Sequence, residues 1–472
     1  MSVPRSALRA VPRQLFGQGR YDRARGRPDA SIPIMPRSST MHPSDGTSGA
    51  DSSEADSSEV GSSEADSLGI DRRTFAKSAV VAAGALLGVG SGVVAPARAA
   101  SELTLVLPSP TGPQPIGYHA IYLVDRSRPD PWDPTIPVRE LMVSVFYPAR
   151  GVRGYPLAPQ MPAGTAAVFG VIAPYQHPQL PTAGVNWAGT MAHAHIGAPA
   201  QARPAPVFLY SPGAGDPRPL GTIVAEEMAS RGAVVVTIDH PGDADAVEFP
   251  NVTPYRGRVR ETALTADPWT EPAVFRTMID TRIADTKFVL DQLELLAAGQ
   301  NPDALGRPLP SGLSRSVDPR RIGMYGHSAG GTTAAETMYE DHRIGAAVNL
   351  EGYLDYPPDA SGQPGPLFPV AQDGVDRPML LLGTDGFRDA DIDRSWSAML
   401  DHPGGRTSWR QIDDAEHWTL TDYAAMAPQM QAAGLMTAAG RDQLVGTIAP
   451  AVSVPLVSEH VVAFFARELS AD

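Results

Sequence analysis

The chain has 472 residues, of which 42% are hydrophobic and 19% are charged, a composition typical of a globular protein with at least one sizeable core. It contains no cysteine, which excludes disulfides, zinc–thiolate centres, iron–sulfur clusters and a thiol nucleophile. The first 99 residues hold 12 of the 38 Lys and Arg and 10 of the 52 Asp and Glu, so the remainder holds 26 against 42. So acidic a body argues against nucleic acid or an anionic membrane surface as a partner.

Residues 1–70 are predicted to form a disordered leader. Residues 51–67 use a five-residue unit rich in Ser, Glu and Asp three times, and Val60 is their one large apolar side chain. Such a segment buries too little apolar surface to offset the entropy lost on ordering. Met41 would give a leader of more usual length, so a wrongly assigned start over residues 1–40 is the alternative.

Residues 71–99 have the features of a twin-arginine signal peptide. An arginine pair precedes an apolar stretch over 79–94, and small residues follow in an A-x-A pattern. A membrane anchor is the alternative, but the stretch is short and rich in glycine for a stable span. We expect cleavage after Ala97 or Ala99, which would release residues 100–472 as one exported catalytic domain without a membrane span.

Beyond the signal, apolar segments alternate with segments of helical period. This alternation predicts an α/β protein whose mostly parallel central sheet is covered by helices on both faces. Functional residues are then expected at the carboxyl ends of the strands. The predicted strands cover 141–147, 205–210, 233–238, 321–325, 346–350, 378–382 and 408–412. The predicted helices cover 220–231, 272–296, 330–339 and 456–469.

The sequence Gly-His-Ser-Ala-Gly contains a G-x-S-x-G motif with Ser328 at its centre, between a predicted strand and a predicted helix. The motif is typical of a nucleophile elbow, a turn so tight that the positions two before and two after the serine must be small. Gly326 and Gly330 fill those positions, and His327 directly precedes the serine. Because the turn strains the backbone and exposes the serine oxygen, Ser328 is predicted to be the nucleophile.

A nucleophilic serine needs a general base, which in this arrangement follows both the serine and the acid along the chain. Four histidines follow Ser328. His342 lies in a charged turn, His402 in a loop between Pro and Asp, and His460 inside the last predicted helix. His417 lies just after a short predicted strand in a loop near the C-terminus, where the base is required, and is therefore the predicted general base.

The third member of such a site is an acid that orients the imidazole and stabilises the imidazolium. Glu351 follows the strand after the nucleophile helix, Asp385 follows the next strand, and each precedes a glycine. Spacing alone leaves both candidates open, while Asp355 and Asp389 are less well placed.

An oxyanion hole needs two backbone N–H donors. Ala329, directly after the serine, is predicted to supply one of them. The loop Ser-Pro-Gly-Ala-Gly follows the predicted strand 205–210, and its Ala214 is predicted to supply the other. A plain turn is the alternative reading of this loop.

Together, these motifs resemble the platelet-activating-factor acetylhydrolase-like branch of the α/β-hydrolases, in its secreted bacterial form, over most of residues 105–465. The resemblance implies an α/β-hydrolase fold, oxyanion donors at Ala214 and Ala329, and hydrolysis of carboxylic esters, including short or oxidised acyl chains on phospholipids. It also implies an acid after the same strand as Glu351, where the family usually has Asp, and Asp385 stays the alternative acid. The matching segments are Asp125-Arg-Ser-Arg-Pro-Asp-Pro131, Arg139-Glu-Leu-Met-Val-Ser-Val-Phe-Tyr-Pro148, Ser-Pro-Gly-Ala, Asp239-His-Pro, Gly-His-Ser-Ala-Gly-Gly, Asn-Leu-Glu-Gly and Glu-His-Trp-Thr-Leu-Thr-Asp.

The remaining polar patterns indicate no metal or cofactor. His193 and His195 lack a carboxylate at helical spacing, and we expect them in a loop. The stretch from Asp389 to Asp393 is similar to a calcium loop but lacks its Gly and Glu, so a solvated turn is expected. No glycine-rich phosphate-binding loop is present in the sequence.

The sequence therefore predicts a secreted serine hydrolase that cleaves esters of small molecules or lipids through an acyl-enzyme, without a cofactor. Transfer of the acyl group to another alcohol, or cleavage of an amide, would use the same residues. A non-catalytic scaffold is a further alternative, but such a protein has usually lost the serine or the histidine.

Overall fold

A computed structural model of the chain describes residues 102–265 and 267–470. The predicted leader and twin-arginine signal lie outside these residues, and both stay predictions. Strands in the described part are β1 (Ile116–Asp125), β2 (Arg139–Pro148), β3 (Leu157–Pro159), β4 (Met191–Ile196), β5 (Ala205–Ser211), β6 (Val234–Ile238), β7 (Ala246–Glu248), β8 (Val259–Glu261), β9 (Val317–His327), β10 (Ile344–Leu350), β11 (Met379–Thr384) and β12 (Thr407–Ile412). Helices there are α1 (Ala163–Gln176), α2 (Thr222–Ser230), α3 (Pro272–Ala297), α4 (Leu313–Ser316), α5 (Ala329–Glu340), α6 (Pro369–Asp373), α7 (Ala390–Leu400), α8 (Tyr423–Ala432), α9 (Ala438–Val445) and α10 (Pro450–Glu468).

Ten of these strands form one sheet, in the order β12-β11-β10-β9-β5-β6-β2-β1-β4-β3. Neighbouring strands from β12 to β6 are parallel, whereas β2 runs antiparallel to both β6 and β1. Strands β7 and β8 form a separate antiparallel pair. The sheet is mostly parallel, which confirms the predicted α/β class.

Side chains that alternate along the central strands build two cores, one on each face of the sheet. In β5, Val207 and Leu209 pack with helices α3, α5 and α7, while Phe208 and Tyr210 pack with α2 and α10 on the opposite face. A strand alternates its side chains between faces, so a strand covered on both sides must be apolar throughout. This is why the central strands are visible in the sequence as continuous apolar runs.

One described stretch, Ala438–Glu468, is long and apolar enough to cross a membrane by length and composition alone. The structure divides it at Gly446 into α9 and α10. Three α10 side chains that face the sheet, Val461, Phe464 and Phe465, are buried in the core. Packing against the sheet therefore accounts for the apolar character of these side chains.

Two local expectations from the sequence are wrong. His193 and His195 lie in strand β4 rather than in a loop, and they alternate with buried alanines as a strand requires. Asp389 does not begin a solvated turn. Its side chain accepts from the N–H groups of Asp391 and Ile392 and caps the N-terminus of α7.

A buried carboxylate joins the C-terminal part of the chain to helix α2. Asp422 Oδ2 accepts from Thr222 N–H at 3.1 Å and from Gln160 Nε2 at 2.9 Å, and Oδ1 accepts from Ile223 N–H at 3.1 Å. Asp422 thus caps the α2 N-terminus from a distant part of the sequence, where a negative charge is favourable.

We predict that Asp422→Ala lowers the free energy of unfolding by about 3 kcal/mol, because it leaves buried N–H donors without an acceptor. Urea unfolding followed by circular dichroism measures the loss. Asp376→Ala is the matched control, since the Asp376 side chain is 94% exposed and lies 3.7 Å from Arg377. A loss for Asp422→Ala as small as that for the control would contradict the capping role.

Candidate active site

The backbone geometry of the elbow requires its two glycines. Ser328 has φ 55° and ψ −124°, a conformation that residues other than glycine rarely adopt, and it lies directly before helix α5. A Cβ atom on Gly330 would lie 1.9 Å from the carbonyl oxygen of Ser211, and one on Gly326 would lie 2.2 Å from the carbonyl oxygen of Gly330. Both positions therefore require glycine, and the close contacts hold the turn against the end of β5.

Glu351 lies at the end of β10, beside the elbow. The N–H of Ser328 donates to the carbonyl of Leu350 at 2.8 Å, so the elbow backbone is bonded to the residue before Glu351. Oε1 of Glu351 accepts from both the N–H and the hydroxyl of Thr384, the latter at 2.7 Å. Oε2 accepts from Nδ1 of His417 at 2.8 Å. Three donors thus converge on a carboxylate that is 1% exposed, and hydrogen bonds of this kind favour its ionised form.

His417 is held through both its ring and its backbone. It begins a short 3₁₀ helix, His417–Leu420, whose N-terminus is closed by reciprocal hydrogen bonds between Glu416 and Thr419. The Phe387 ring stacks on the imidazole at 3.9 Å between centroids. Nε2–H of His327 donates to the His417 carbonyl at 3.0 Å, so the residue before Ser328 is bonded directly to the histidine.

Burial and hydrogen bonding set the charge state of this pair. Burial, and secondarily the charge of His177, lowers the pKa of His417 to about 3, so the imidazole is neutral at neutral pH. Burial raises the pKa of Glu351 above its usual range, and the hydrogen bonds from Thr384 oppose this shift without cancelling it. With Nδ1–H bonded to Glu351, Nε2 of the neutral ring keeps a free electron pair with which to accept a proton.

The other candidate carboxylates have different partners. Asp385 is exposed, and its side chain accepts from the N–H of Ala415 at 3.0 Å. Asp355 pairs with Arg394, and Asp389 caps α7. The structure thus pairs Glu351 rather than Asp385 with His417.

The other three candidate histidines lie in environments different from that of His417. His342 is exposed, and His460 lies on α10. Nε2 of His402 contacts the carbonyl of Ala371 at 3.2 Å. His417 is the candidate that the structure joins to both the elbow and a buried carboxylate.

The two predicted oxyanion donors lie on segments that touch. Ala329 is the first residue of α5, and Ala214 lies in the loop after β5, the strand end against which the elbow packs. Among residues 102–265 and 267–470, neither amide N–H donates to a protein acceptor. Both are therefore free to bind an oxygen atom of a ligand.

Three residues near the site, Thr384, Phe387 and Arg282, were not predicted from the sequence. Thr384 and Phe387 flank the rejected candidate Asp385, and an aromatic residue close after a strand end is a weak signal. Arg282 lies on the apolar stripe of α3, where a charged residue signals a buried partner. Within the part of the chain that the structure describes, no group of three or more His, Cys, Asp or Glu is arranged to hold a metal ion.

The chain is similar to known ester-cleaving proteins. Residues 192–472 match the family described as platelet-activating factor acetylhydrolase, isoform II. A protein of Arthroderma benhamiae (strain ATCC MYA-4681 / CBS 112371), named as a probable 1-alkyl-2-acetylglycerophosphocholine esterase, is 29% identical over 385 residues, which are 77% of this chain and 88% of the relative. A solved ferulic acid esterase from Streptomyces cinnamoneus is 31% identical with a TM-score of 0.60, covering 78% of this chain and 94% of its own.

The sheet, the elbow and these relatives define a carboxylic ester hydrolase of the α/β-hydrolase fold. The chain belongs to the platelet-activating factor acetylhydrolase isoform II family. The predicted fold, family and enzyme class are thereby confirmed.

We predict that Glu351→Gln lowers kcat for p-nitrophenyl acetate by about 10³- to 10⁴-fold. Thr384 presents two donors to Oε1, so the carbonyl of the new amide must face Thr384 and its NH₂ must face His417. The NH₂ would bond an unprotonated Nδ1 and select the tautomer that carries the proton on Nε2.

Asp385→Asn is the matched carboxylate-to-amide control, and we expect little change in its kcat. Thermal unfolding of both variants shows whether each is folded. A large fall in kcat with Asp385→Asn and little with Glu351→Gln would contradict the assignment of the acid.

Proposed function

We propose that the protein is an exported serine esterase that cleaves short-acyl esters, of the lipid or phospholipid type, through an acyl-enzyme. The observation that carries this proposal is the hydrogen bond of 2.8 Å between buried Glu351 and His417, beside an elbow that is itself bonded to both residues' loops. Ester hydrolysis agrees with the family, and the roles of the individual residues are our proposal.

In the first half of the reaction, Ser328 Oγ attacks the ester carbonyl carbon while its proton passes to Nε2 of His417. The carbonyl oxygen becomes an oxyanion, which accepts hydrogen bonds from the N–H groups of Ala214 and Ala329. Collapse of this intermediate breaks the bond to the alkoxy oxygen, which takes the proton from His417 and leaves as the alcohol. The acyl group stays on Ser328.

In the second half, a water molecule attacks the acyl carbon and gives its proton to His417. The second tetrahedral intermediate expels Ser328 Oγ, which recovers the proton, and the carboxylic acid leaves. In both halves Glu351 accepts from Nδ1–H and stabilises the imidazolium that forms. Because burial lowers the pKa of His417, its imidazole is unprotonated before each attack, as a general base must be.

The preference for short acyl chains rests on the relatives and on the surroundings of His417. The Arthroderma relative is named for an acetyl ester and the Streptomyces protein for a ferulic acid ester. Phe387 stacks on His417, and Tyr353 contacts Phe387 at 5.7 Å between centroids and stacks on Trp269 at 4.0 Å. These partly buried rings offer an apolar, flat surface next to the base.

Export is proposed from the sequence. Arg72 and Arg73, the apolar stretch over 79–94 and the small residues after it form the signal. A cysteine-free catalytic domain suits a route that exports folded proteins, since it needs no disulfide formation after export.

The test is hydrolysis of p-nitrophenyl esters from acetate to palmitate by the full chain. We predict release of p-nitrophenol that is highest for the shortest chains and is abolished by Ser328→Ala. Ser361→Ala, in an exposed turn, is the matched control and should be fully active. Undiminished hydrolysis by Ser328→Ala would contradict the serine mechanism, and an optimum at palmitate would contradict the short-acyl preference.

A further inference from the structure

A buried arginine from helix α3 holds the loop that carries Ala214. The side chain of Arg282 is fully buried. Its Nη1 donates to the carbonyl of Pro212 at 2.5 Å, and its Nη2 donates to the carbonyl of Gly213 at 2.8 Å. The rigid, planar guanidinium thus fixes two successive carbonyl groups at once, which a single ammonium group does not do.

Fixing the Gly213 carbonyl also fixes the Ala214 N–H, because the two groups belong to one peptide unit. That unit is planar and trans, so its C=O and N–H point in opposite directions. With the oxygen directed at Arg282 inside the protein, the N–H must point the other way, out of the interior. Within the described residues, this N–H has no protein acceptor.

The peptide unit after Ala214 is fixed as well. The N–H of Gly215 donates to Asp243 Oδ1 at 2.9 Å, and Asp243 Oδ2 accepts from Nε of Arg282 at 2.5 Å. Arg282 and Asp243 therefore bind the backbone on both sides of Ala214, and they form an ion pair with each other. Gly213 and Gly215 flank Ala214, and glycine allows a wide range of backbone conformations. The contacts with Arg282 and Asp243 therefore restrict rotations of the peptide units that the glycines would otherwise allow.

A further buried chain of polar groups supports the start of the loop. Ser211 Oγ accepts from Nη1 of Arg282 at 3.2 Å and lies 3.0 Å from Nε2 of His240. Nδ1 of His240 lies 3.0 Å from Asp285, which pairs with Arg139. Ser211, His240 and Asp285 thus repeat the order of a Ser–His–Asp site, but all three are buried and accommodate no substrate.

We propose that Arg282 is a positioning residue that orients the Ala214 N–H toward the oxyanion of the transition state. This inference rests on the proposed function, in which Ala214 is an oxyanion donor. If the Gly213–Ala214 unit rotated, its carbonyl oxygen would face the developing negative charge in place of the N–H. Arg282 thereby acts on the transition state through the backbone, without touching substrate.

The test compares Arg282→Lys with the unmodified full chain on p-nitrophenyl acetate. We expect kcat to fall about 100-fold with KM nearly unchanged, since the donor acts on charge that develops in the transition state. A trifluoromethyl ketone adds to a serine hydroxyl and presents a tetrahedral oxyanion, so its Ki should rise by the same factor. A role in stability alone would not move kcat and this Ki together.

Arg256→Lys is the matched control, because Arg256 is also buried and paired, with Glu140 at 2.7 Å, and contacts no residue of the proposed site. Its kcat and Ki should be unchanged, whatever the shift in melting temperature. If Arg282→Lys does not fold, Asp243→Asn tests the positioning role instead. The new side chain keeps an acceptor for Gly215 N–H but turns an amide NH₂ toward Arg282. We expect about a tenfold fall in its kcat with a matching rise in Ki.

Unchanged kcat and Ki in folded Arg282→Lys, or in Asp243→Asn where the first variant does not fold, would overturn the positioning role. That outcome leaves the proposed function intact as long as Ser328→Ala abolishes hydrolysis. Hydrolysis that survives Ser328→Ala overturns the proposed function instead, so the two failures are distinguishable.

Discussion

The close approach of two backbone segments, the nucleophile elbow and the end of β5, is the constraint on which the rest of the site depends. It requires glycine at 326 and 330, and it forces Ser328 into its rare backbone conformation. The same approach places Ala329 beside the loop that carries Ala214. The elbow is also bonded to the ends of the two other site segments, through the carbonyls of Leu350 and His417. One tight turn thus brings four segments together.

Around this turn, the groups that set its geometry are polar and buried. Glu351 is satisfied by Thr384 and His417, and the loop carbonyls are satisfied by Arg282, which Asp243 in turn neutralises. Removing such charges from water is costly, and each is retained with nearly complete hydrogen bonding. Apolar packing supplies most of the stability of the sheet, whereas these directional bonds supply the orientation that the proposed proton transfer and oxyanion binding require.

The sequence predicted those parts of the molecule that depend on local pattern. The central strands β5, β6 and β9 to β11 are apolar on both faces, and the elbow glycines follow from the turn itself. Strand β1 was not predicted, since it lies toward the edge and mixes buried with partly exposed residues. Helix α1 was not predicted either, because it is apolar around its circumference and contains Pro174. The choice between Glu351 and Asp385, and the proposed role of Arg282, depend on partners far away in sequence, such as Thr384 and Gly213.

The proposed mechanism depends on a covalent bond between the oxygen of Ser328 and the substrate's acyl carbon. The most direct measurement uses a p-nitrophenyl alkylphosphonate, which would phosphonylate the nucleophile irreversibly in place of acylating it. Peptide mass spectrometry then locates the label while residual ester hydrolysis is followed. We expect one phosphonyl group, on Ser328, formed in proportion to the loss of hydrolysis. Complete loss of hydrolysis with the label on another residue, or full activity after Ser328 is labelled, would contradict it.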